Sequence, residues 1–351
     1  MLPTDKPYII GETAFHHEGD EGFAKGLIEL GEELKLDALK FHITLDLDDY
    51  MVSNHEAIDV IRPWCFDPQQ WDAILTKVSS CDIILLCNDV KSVEYAINCK
   101  FKVKAIELHA TGLNDVFLLE KASQFNGTVI LGTGGSTLDE IAYAIEYLKS
   151  RGQSDIFLMH GFQNYPTDFR DVKLDRMDKM KRLFNLPQGY ADHTDPAEVD
   201  NVVISCLGIV KGYNVLEKHF TTHFGDKRID AQAAVNRETM ITIKRIADKI
   251  HLSLGNGSEL NLSAAEQKYG NTGPMKKAIV ARENIASGTS LSLNHIAFKR
   301  TNDSASLKQL QLQNLIGLKT NTLIEKNEII DFSKVDFEYT NHDISQFQNT
   351  K

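Results

Sequence analysis

Long hydrophobic runs are missing from this chain of 351 residues: no apolar stretch reaches the roughly 18 residues a membrane-spanning helix needs. Positive charge is also in short supply, with 38 Lys and Arg against 49 Asp and Glu and a formal net charge of −11. No basic block interrupts this acidic balance, which argues against nucleic acid or an anionic membrane surface as a partner. The opening residues, MLPTDKPYII, lack the basic and then apolar segments of a secretory signal, so a cytoplasmic protein is expected. Cysteine is scarce. The five thiols (Cys65, Cys81, Cys87, Cys99, Cys206) are odd in number and show no CxxC spacing, so reduced, buried thiols are the plain reading. No GxGxxG follows the first apolar run, and the glycine cluster Gly132–Ser136 has no Walker lysine, which weakens the case for a nucleotide-binding doubly wound sheet.

What is present is alternation. Short β-branched runs at 7–11, 37–42, 82–88, 103–109, 128–132, 154–160, 188–191 and 214–219 are separated by amphipathic stretches such as Gly22–Leu34, Leu138–Leu148, Leu174–Phe184, Val199–Val210 and Arg237–Ile250. The run Ser136-Thr137-Leu138-Asp139-Glu140 reads as a helix N-cap. Eight strands alternating with helices predict an α/β fold, a parallel (β/α)8 barrel over residues 1–255. Residues 256–275, rich in Gly, Asn and Ser, read as linker. A small β-rich module is expected over 276–338 and a polar tail over 339–351.

In such a barrel chemistry belongs to the C-terminal ends of the strands. Those ends carry Glu12, with His16 and His17 just beyond; Lys40 and His42; Glu107 and His109, which alternate onto one face; His160, followed by Gln163, Asn164 and Tyr165; then His193, Glu217 and His219. Each residue taken singly has an ordinary reading: Lys40 pairing with Glu12 or Glu107, each histidine a hydrogen-bonded core group. Together they place charge at one end of nearly every strand, and buried charge requires partners or a bound ion. His193 in Asp192-His193-Thr194 and His219 in Glu217-Lys218-His219-Phe220 offer two imidazoles on adjacent strand ends, suited to a divalent metal ion.

These residues resemble the sialic acid synthase family, which includes the synthases of N-acetylneuraminic, legionaminic and pseudaminic acids. The resemblance runs in order through Ile10-Gly11-Glu12, Ala38-Leu39-Lys40-Phe41, Leu131–Thr137, Asn164-Tyr165-Pro166-Thr167, Gly189–Thr194 and Leu216–Thr221. It implies a (β/α)8 barrel followed by an antifreeze-like (SAF) domain, and the condensation of phosphoenolpyruvate with an aldose. It further implies a small-molecule sugar or sugar-acid substrate, Mn²⁺ or Mg²⁺ held by His193 and His219, and catalytic roles for Glu12 and Lys40. Tyr165 and Asp230 match sugar-holding residues. Arg300 matches an arginine that a neighbouring protomer inserts, which implies a domain-swapped homodimer. Gln163 and His16 stand where the family has asparagines, and His42 lies beside them as a further substrate contact.

The departures cluster at one end of the site. Glu107 and Ala110 stand where the family has a lysine and a serine on the phosphate of phosphoenolpyruvate, and Gly132 and Ala191 replace two more serines. A phosphate dianion wants cations and hydroxyl donors. Exchanging a lysine for Glu107 removes an attraction and adds a repulsion, each about 4 kcal/mol at 4 Å for an effective dielectric of 20. Three readings stand at this stage. One is a divergent synthase still using an enol donor. Another is a metal-dependent lyase, aldolase or isomerase on a substrate without phosphate, with Glu107 and His109 as acid–base groups or extra ligands. The third is a non-catalytic sugar-acid-binding homologue.

Overall fold

The computed structural model describes residues 1–162, 164–255 and 261–336, and the chain forms two compact units, 1–255 and 256–351. In the first, eight strands close a parallel barrel in chain order: β1 (Tyr8–Glu12), β2 (Ala38–Ile43), β3 (Asp82–Cys87), β4 (Val103–Leu108), β5 (Thr128–Gly132), β6 (Ile156–His160), β7 (Gln188–Asp192) and β8 (Val215–His219). The principal helices between and after them are α1 (Glu21–Glu33), α2 (Pro68–Leu75), α3 (Val90–Asn98), α4 (Val116–Ala122), α5 (Leu138–Ser150), α6 (Asp175–Phe184), α7 (Asn201–Val210) and α8 (Arg237–Leu254).

Local chemistry explains the elements. On α5 the Thr137 hydroxyl accepts from the Glu140 amide while the Glu140 carboxylate accepts from the Thr137 amide, a reciprocal cap. Its buried residues Ile141, Ala144, Ile145 and Leu148 then repeat at helical spacing and face the sheet. The strands are buried on both faces, as a parallel barrel requires. Outward residues such as Ile9, Leu39, Leu85 and Leu158 pack under the helices, and inward residues Tyr8, Ile10, Ala38, Ile84, Ile130, Phe157 and Val215 fill the lumen. Toward the C-terminal end this apolar filling gives way to charge. Register puts Glu12 level with Lys40 on one side and His219 on the other, and Ile10 level with Glu217.

In the second unit β9 (Ala278–Ala281) pairs antiparallel with β10 (Ile296–Lys299). Around that hairpin, single bridges join Val280 to Ile329 and Ile285 to Ile324 over a core that includes Ile279, Leu291, Leu315 and Ile330. One expectation is corrected. The stretch read as linker contains a helix, α9 (Ala264–Tyr269), capped reciprocally by Ser263 and Glu266. The expected tail, 339–351, lies outside the described residues. No helix among the described residues is long and apolar enough to cross a membrane.

Candidate active site

The strand ends enclose a cavity of about 20 Å³, room for about one water, lined by Glu12, Lys40, His42, Glu107, His109, Tyr165, His193, Glu217 and His219. Its centre is the Lys40 ammonium. Glu107 and Glu217 accept hydrogen bonds from it at 2.8 and 2.7 Å. Glu12 Oε2 lies 2.6 Å away, an ion pair outside hydrogen-bonding geometry, so that buried oxygen has no hydrogen-bond partner. All four side chains are at most 4% exposed. The other Glu12 oxygen accepts from the Ala14 amide at 2.8 Å and lies 3.6 Å from His42 Nε2.

Counting formal charges, three carboxylates against one ammonium leave −2 in a dry site. Burial lifts the Glu217 pKa to about 7, with Lys40 opposing and Glu107 adding to the rise. Burial works against the Lys40 ammonium, but Glu107 and Glu217 outweigh it and hold its pKa above the usual range. The cluster is therefore a lysine held charged by an excess of acid, and Glu217 is the carboxylate that burial brings into the neutral range.

The histidines form the adjoining wall. His193 and His219 have ring centroids 5.1 Å apart, and Tyr165 packs edge-on against both at 5.0 and 5.6 Å. His193 Nδ1 donates to the Phe162 carbonyl at 3.0 Å, which leaves Nε2 as the lone-pair nitrogen. Burial holds His193 down to about 4, His109 down to about 3, and His42 and His219 well below the usual imidazole value. Neutral imidazoles are the ligand form. Among the described residues no group of three or more His, Cys, Asp or Glu is arranged around a common ion position. The pair offers two neutral imidazoles side by side, with no third His, Cys, Asp or Glu completing a ligand set among the described residues.

An outward-facing network holds this wall in place. The fully buried Lys218 ammonium pairs with Asp192 at 2.8 Å, and Asp192 also accepts from Tyr190, Thr194 and Ser205. Burial opposes the Asp192 charge, yet Lys218 outweighs it and lowers the pKa to about 2. Because side chains alternate along β7 and β8, this clamp faces the helices while Glu217 and His219 face the lumen.

One sequence expectation falls elsewhere. His16 is buried outside the cavity, its Nδ1 bonded to the Ile229 carbonyl at 2.7 Å and its Nε2 to the Thr221 hydroxyl at 2.9 Å. With both nitrogens engaged it braces the β8 loop and does not face the cavity. Asp230 is half-buried in a left-handed turn near Tyr165, and burial raises its pKa to about 6. Arg300 belongs to the second unit, where its Nε donates to the Pro274 carbonyl at 2.7 Å. Gln163 lies outside the described residues. Glu217, absent from the catalytic residues expected from sequence, is a direct partner of Lys40; its position two residues before His219 was the available signal.

The space around Glu107 is tailored. A Cβ on Gly132 would come 3.1 Å from Glu107 Oε1, tighter than nearly all real contacts, so the glycine makes room for the glutamate.

A closed parallel barrel with charged and imidazole groups gathered at the strand C-termini is the architecture of a (β/α)8 enzyme scaffold. Its family follows from comparison: the NeuB family model matches residues 39–259, and the chain belongs to that family. It is 27% identical to an uncharacterised protein of Methanocaldococcus jannaschii, over 92% of this chain and 93% of that one. It is 25% identical to the N,N'-diacetyllegionaminic acid synthase of Campylobacter jejuni, over 93% of this chain and 99% of that one. Among solved structures, a spore coat polysaccharide biosynthesis protein E from Chromobacterium violaceum shares the fold at a TM-score of 0.78 and 19% identity, covering 94% of this chain and all of the other. An N-acetylneuraminic acid synthetase from Leptospira borgpetersenii, solved with citrate, has a TM-score of 0.68 at 24% identity, covering 75% and 90% of the two chains.

Proposed function

We propose that this protein is a sugar-acid synthase that joins an enol donor to an aldose by a metal-dependent aldol-type condensation. The observation that carries the reading is that a charged lysine and two neutral histidines line one cavity. His193 and His219 would hold Mn²⁺ or Mg²⁺, which when bound polarises an aldehyde oxygen as a Lewis acid. Lys40 supplies the cation for the donor's carboxylate. Glu217, its pKa raised to about 7, can pass a proton to an alkoxide as it forms, with Glu12 and Glu107 as its neighbours on Lys40. Tyr165, packed on both histidines, lines the cavity beside them, and the reaction with phosphoenolpyruvate takes up one water at the donor's second carbon as phosphate leaves. The second unit is read as the antifreeze-like domain, lending Arg300 to a second copy of the chain in a swapped homodimer.

Incubation with Mn²⁺, phosphoenolpyruvate and a panel of aldoses should release inorganic phosphate and yield a 2-keto acid lengthened by three carbons. No phosphate release from any aldose, with the histidine pair intact, overturns the phosphoenolpyruvate form of the reading. A second reading is favoured by one contact, the 2.8 Å pairing of Glu107 with Lys40. A carboxylate already on that ammonium competes with an anionic donor, and this suits an aldolase or lyase whose substrate carries no phosphate. Carbon–carbon bond formation or cleavage with pyruvate in place of phosphoenolpyruvate would select it.

A further inference from the structure

Beside the central cavity a second cleft of about 270 Å³ opens between the loop joining β5 to α5 and the segment joining the short helix Phe169–Val172 to α6. Its lining includes His160, Asp171, Lys173 and Arg176, and it shares Gly134 and Gly161 with the central cavity. We propose that this cleft binds a small polyhydroxylated anion, with the carboxylate or phosphate on Arg176 and Lys173 and a hydroxyl on His160.

His160 is the observation that points to a ligand. The residue is 5% exposed, and its Nε2 donates to the Val172 carbonyl at 2.9 Å. A carbonyl can only accept, so that nitrogen carries the proton and Nδ1 is left as a bare lone pair. Nδ1 is buried and has no hydrogen-bond partner. An unmatched buried acceptor is costly, and few are found without a reason. Alternation along β6 turns Phe157 and Met159 into the lumen, so the His160 ring leaves the barrel on the side of the cleft. What satisfies Nδ1 has to donate, as a hydroxyl does.

The charge at the rim selects the rest of the ligand. Lys173 and Arg176 face a single carboxylate, Asp171, which lies 3.4 Å from the Lys173 ammonium. That leaves a local excess of one positive charge on a chain whose net charge is −11. Arg176 is anchored by donating to the Ser136 carbonyl and forms no ion pair among the described residues. Lys173 is held at a φ of 46°, a left-handed conformation that costs energy for any residue with a side chain.

The loop itself has one closed side and one open side. A Cβ on Gly134 would fall 1.9 Å from the Gly161 carbonyl oxygen, whereas one on Gly135 would meet nothing within 4 Å. A ligand in the cleft therefore bears on the loop that also lines the central cavity.

Titration calorimetry with D-gluconate, inorganic phosphate and, as the neutral control, D-glucose tests the assignment. Wild type should bind at least one of the two anions and not glucose; gluconate alone assigns a sugar acid, phosphate alone a sugar phosphate. Arg176→Gln and Lys173→Asn should each weaken binding about tenfold or more, the worth of one charge-assisted hydrogen bond. The anion should also shift the His160 ring nitrogen resonances. His193→Ala/His219→Ala should bind the anion as wild type does, which separates this cleft from the proposed metal site. Absence of saturable binding for both anions, or affinity unchanged in both rim variants, overturns the proposal. If Arg176→Gln does not fold, Arg176→Lys serves with the same expected direction.

Discussion

Gly132→Ala tests whether Glu107 is a built part of the site. The new methyl would lie 3.1 Å from Glu107 Oε1, 3.5 Å from the Leu108 carbonyl and 3.6 Å from the His109 Cα. Only the first contact is short, and Glu107 cannot retreat freely because its other oxygen is held by Lys40 at 2.8 Å. The φ of Gly132 is not in the left-handed region, so alanine brings no backbone strain and the cost is steric. Overpacking of this kind costs about 1–3 kcal/mol. For a barrel of this size each kcal/mol lowers the melting temperature by roughly 2–4 °C. In a Glu107→Ala background the opposing oxygen is gone, and the same substitution should cost well under 1 kcal/mol. Urea unfolding of the four proteins gives the coupling energy. Equal cost of Gly132→Ala with and without Glu107 would refute the claim that glycine and glutamate are matched.

Three further outcomes can be measured. Mn²⁺ at a hundred times its Kd should stabilise the wild-type protein by about 2.7 kcal/mol in thermal unfolding, and His193→Ala/His219→Ala should lose this dependence. Lys218→Met leaves Asp192 charged and buried without its cation and should cost about 3–5 kcal/mol in urea unfolding, part of which Asp192→Asn in the same chain recovers. Glu32 accepts from the amides of Ser79, Ser80 and Cys81; burial would raise its pKa, but the bonds from Ser80 and Ser79 outweigh it and bring it to about 2 from 4.5. A lowered folded-state value means full stabilisation above about pH 4.5, lost as pH falls toward 2, and Glu32→Gln should flatten that part of the pH–stability curve.

The barrel was legible because its strands are short β-branched runs bounded by helix signals, and each observed strand starts and ends within two residues of its sequence reading. The inward histidines were legible for a related reason, since residues at i and i+2 near a strand end share a face, as His219 does with Glu217. What stayed hidden depends on neighbours far apart in sequence. The meeting of Lys40 with Glu217 follows from the lateral registers of β1 with β2 and β8, which no local pattern encodes. His16 looked like a site residue because it follows β1, but the turn folds back to partners more than two hundred positions away. The helix Ala264–Tyr269 was overlooked although Ser263 and Glu266 have capping-box spacing; the surrounding Gly and Asn residues masked it.

The Glu107–Lys40 contact has two consequences that cannot be separated. It satisfies a buried ammonium, and it fills the place where an incoming anion would find that ammonium. With three carboxylates on one lysine, a substrate carboxylate can take Lys40 only if one glutamate is protonated or swings away, and the cavity has room for little more than a water. Glu107 is the member flanked by a glycine, Gly132, which sets no side chain against it. Glu12 is tied to the Ala14 amide, and Glu217 lies on the strand clamped by Lys218. Substrate entry should therefore move Glu107 first. Glu107→Gln, which keeps the size and removes the charge, should lower KM for an anionic donor more than it alters kcat, whereas Glu217→Gln should act chiefly on kcat. The reverse pattern would mean that Glu107 works in the chemical step and that the glycine beside it serves only packing.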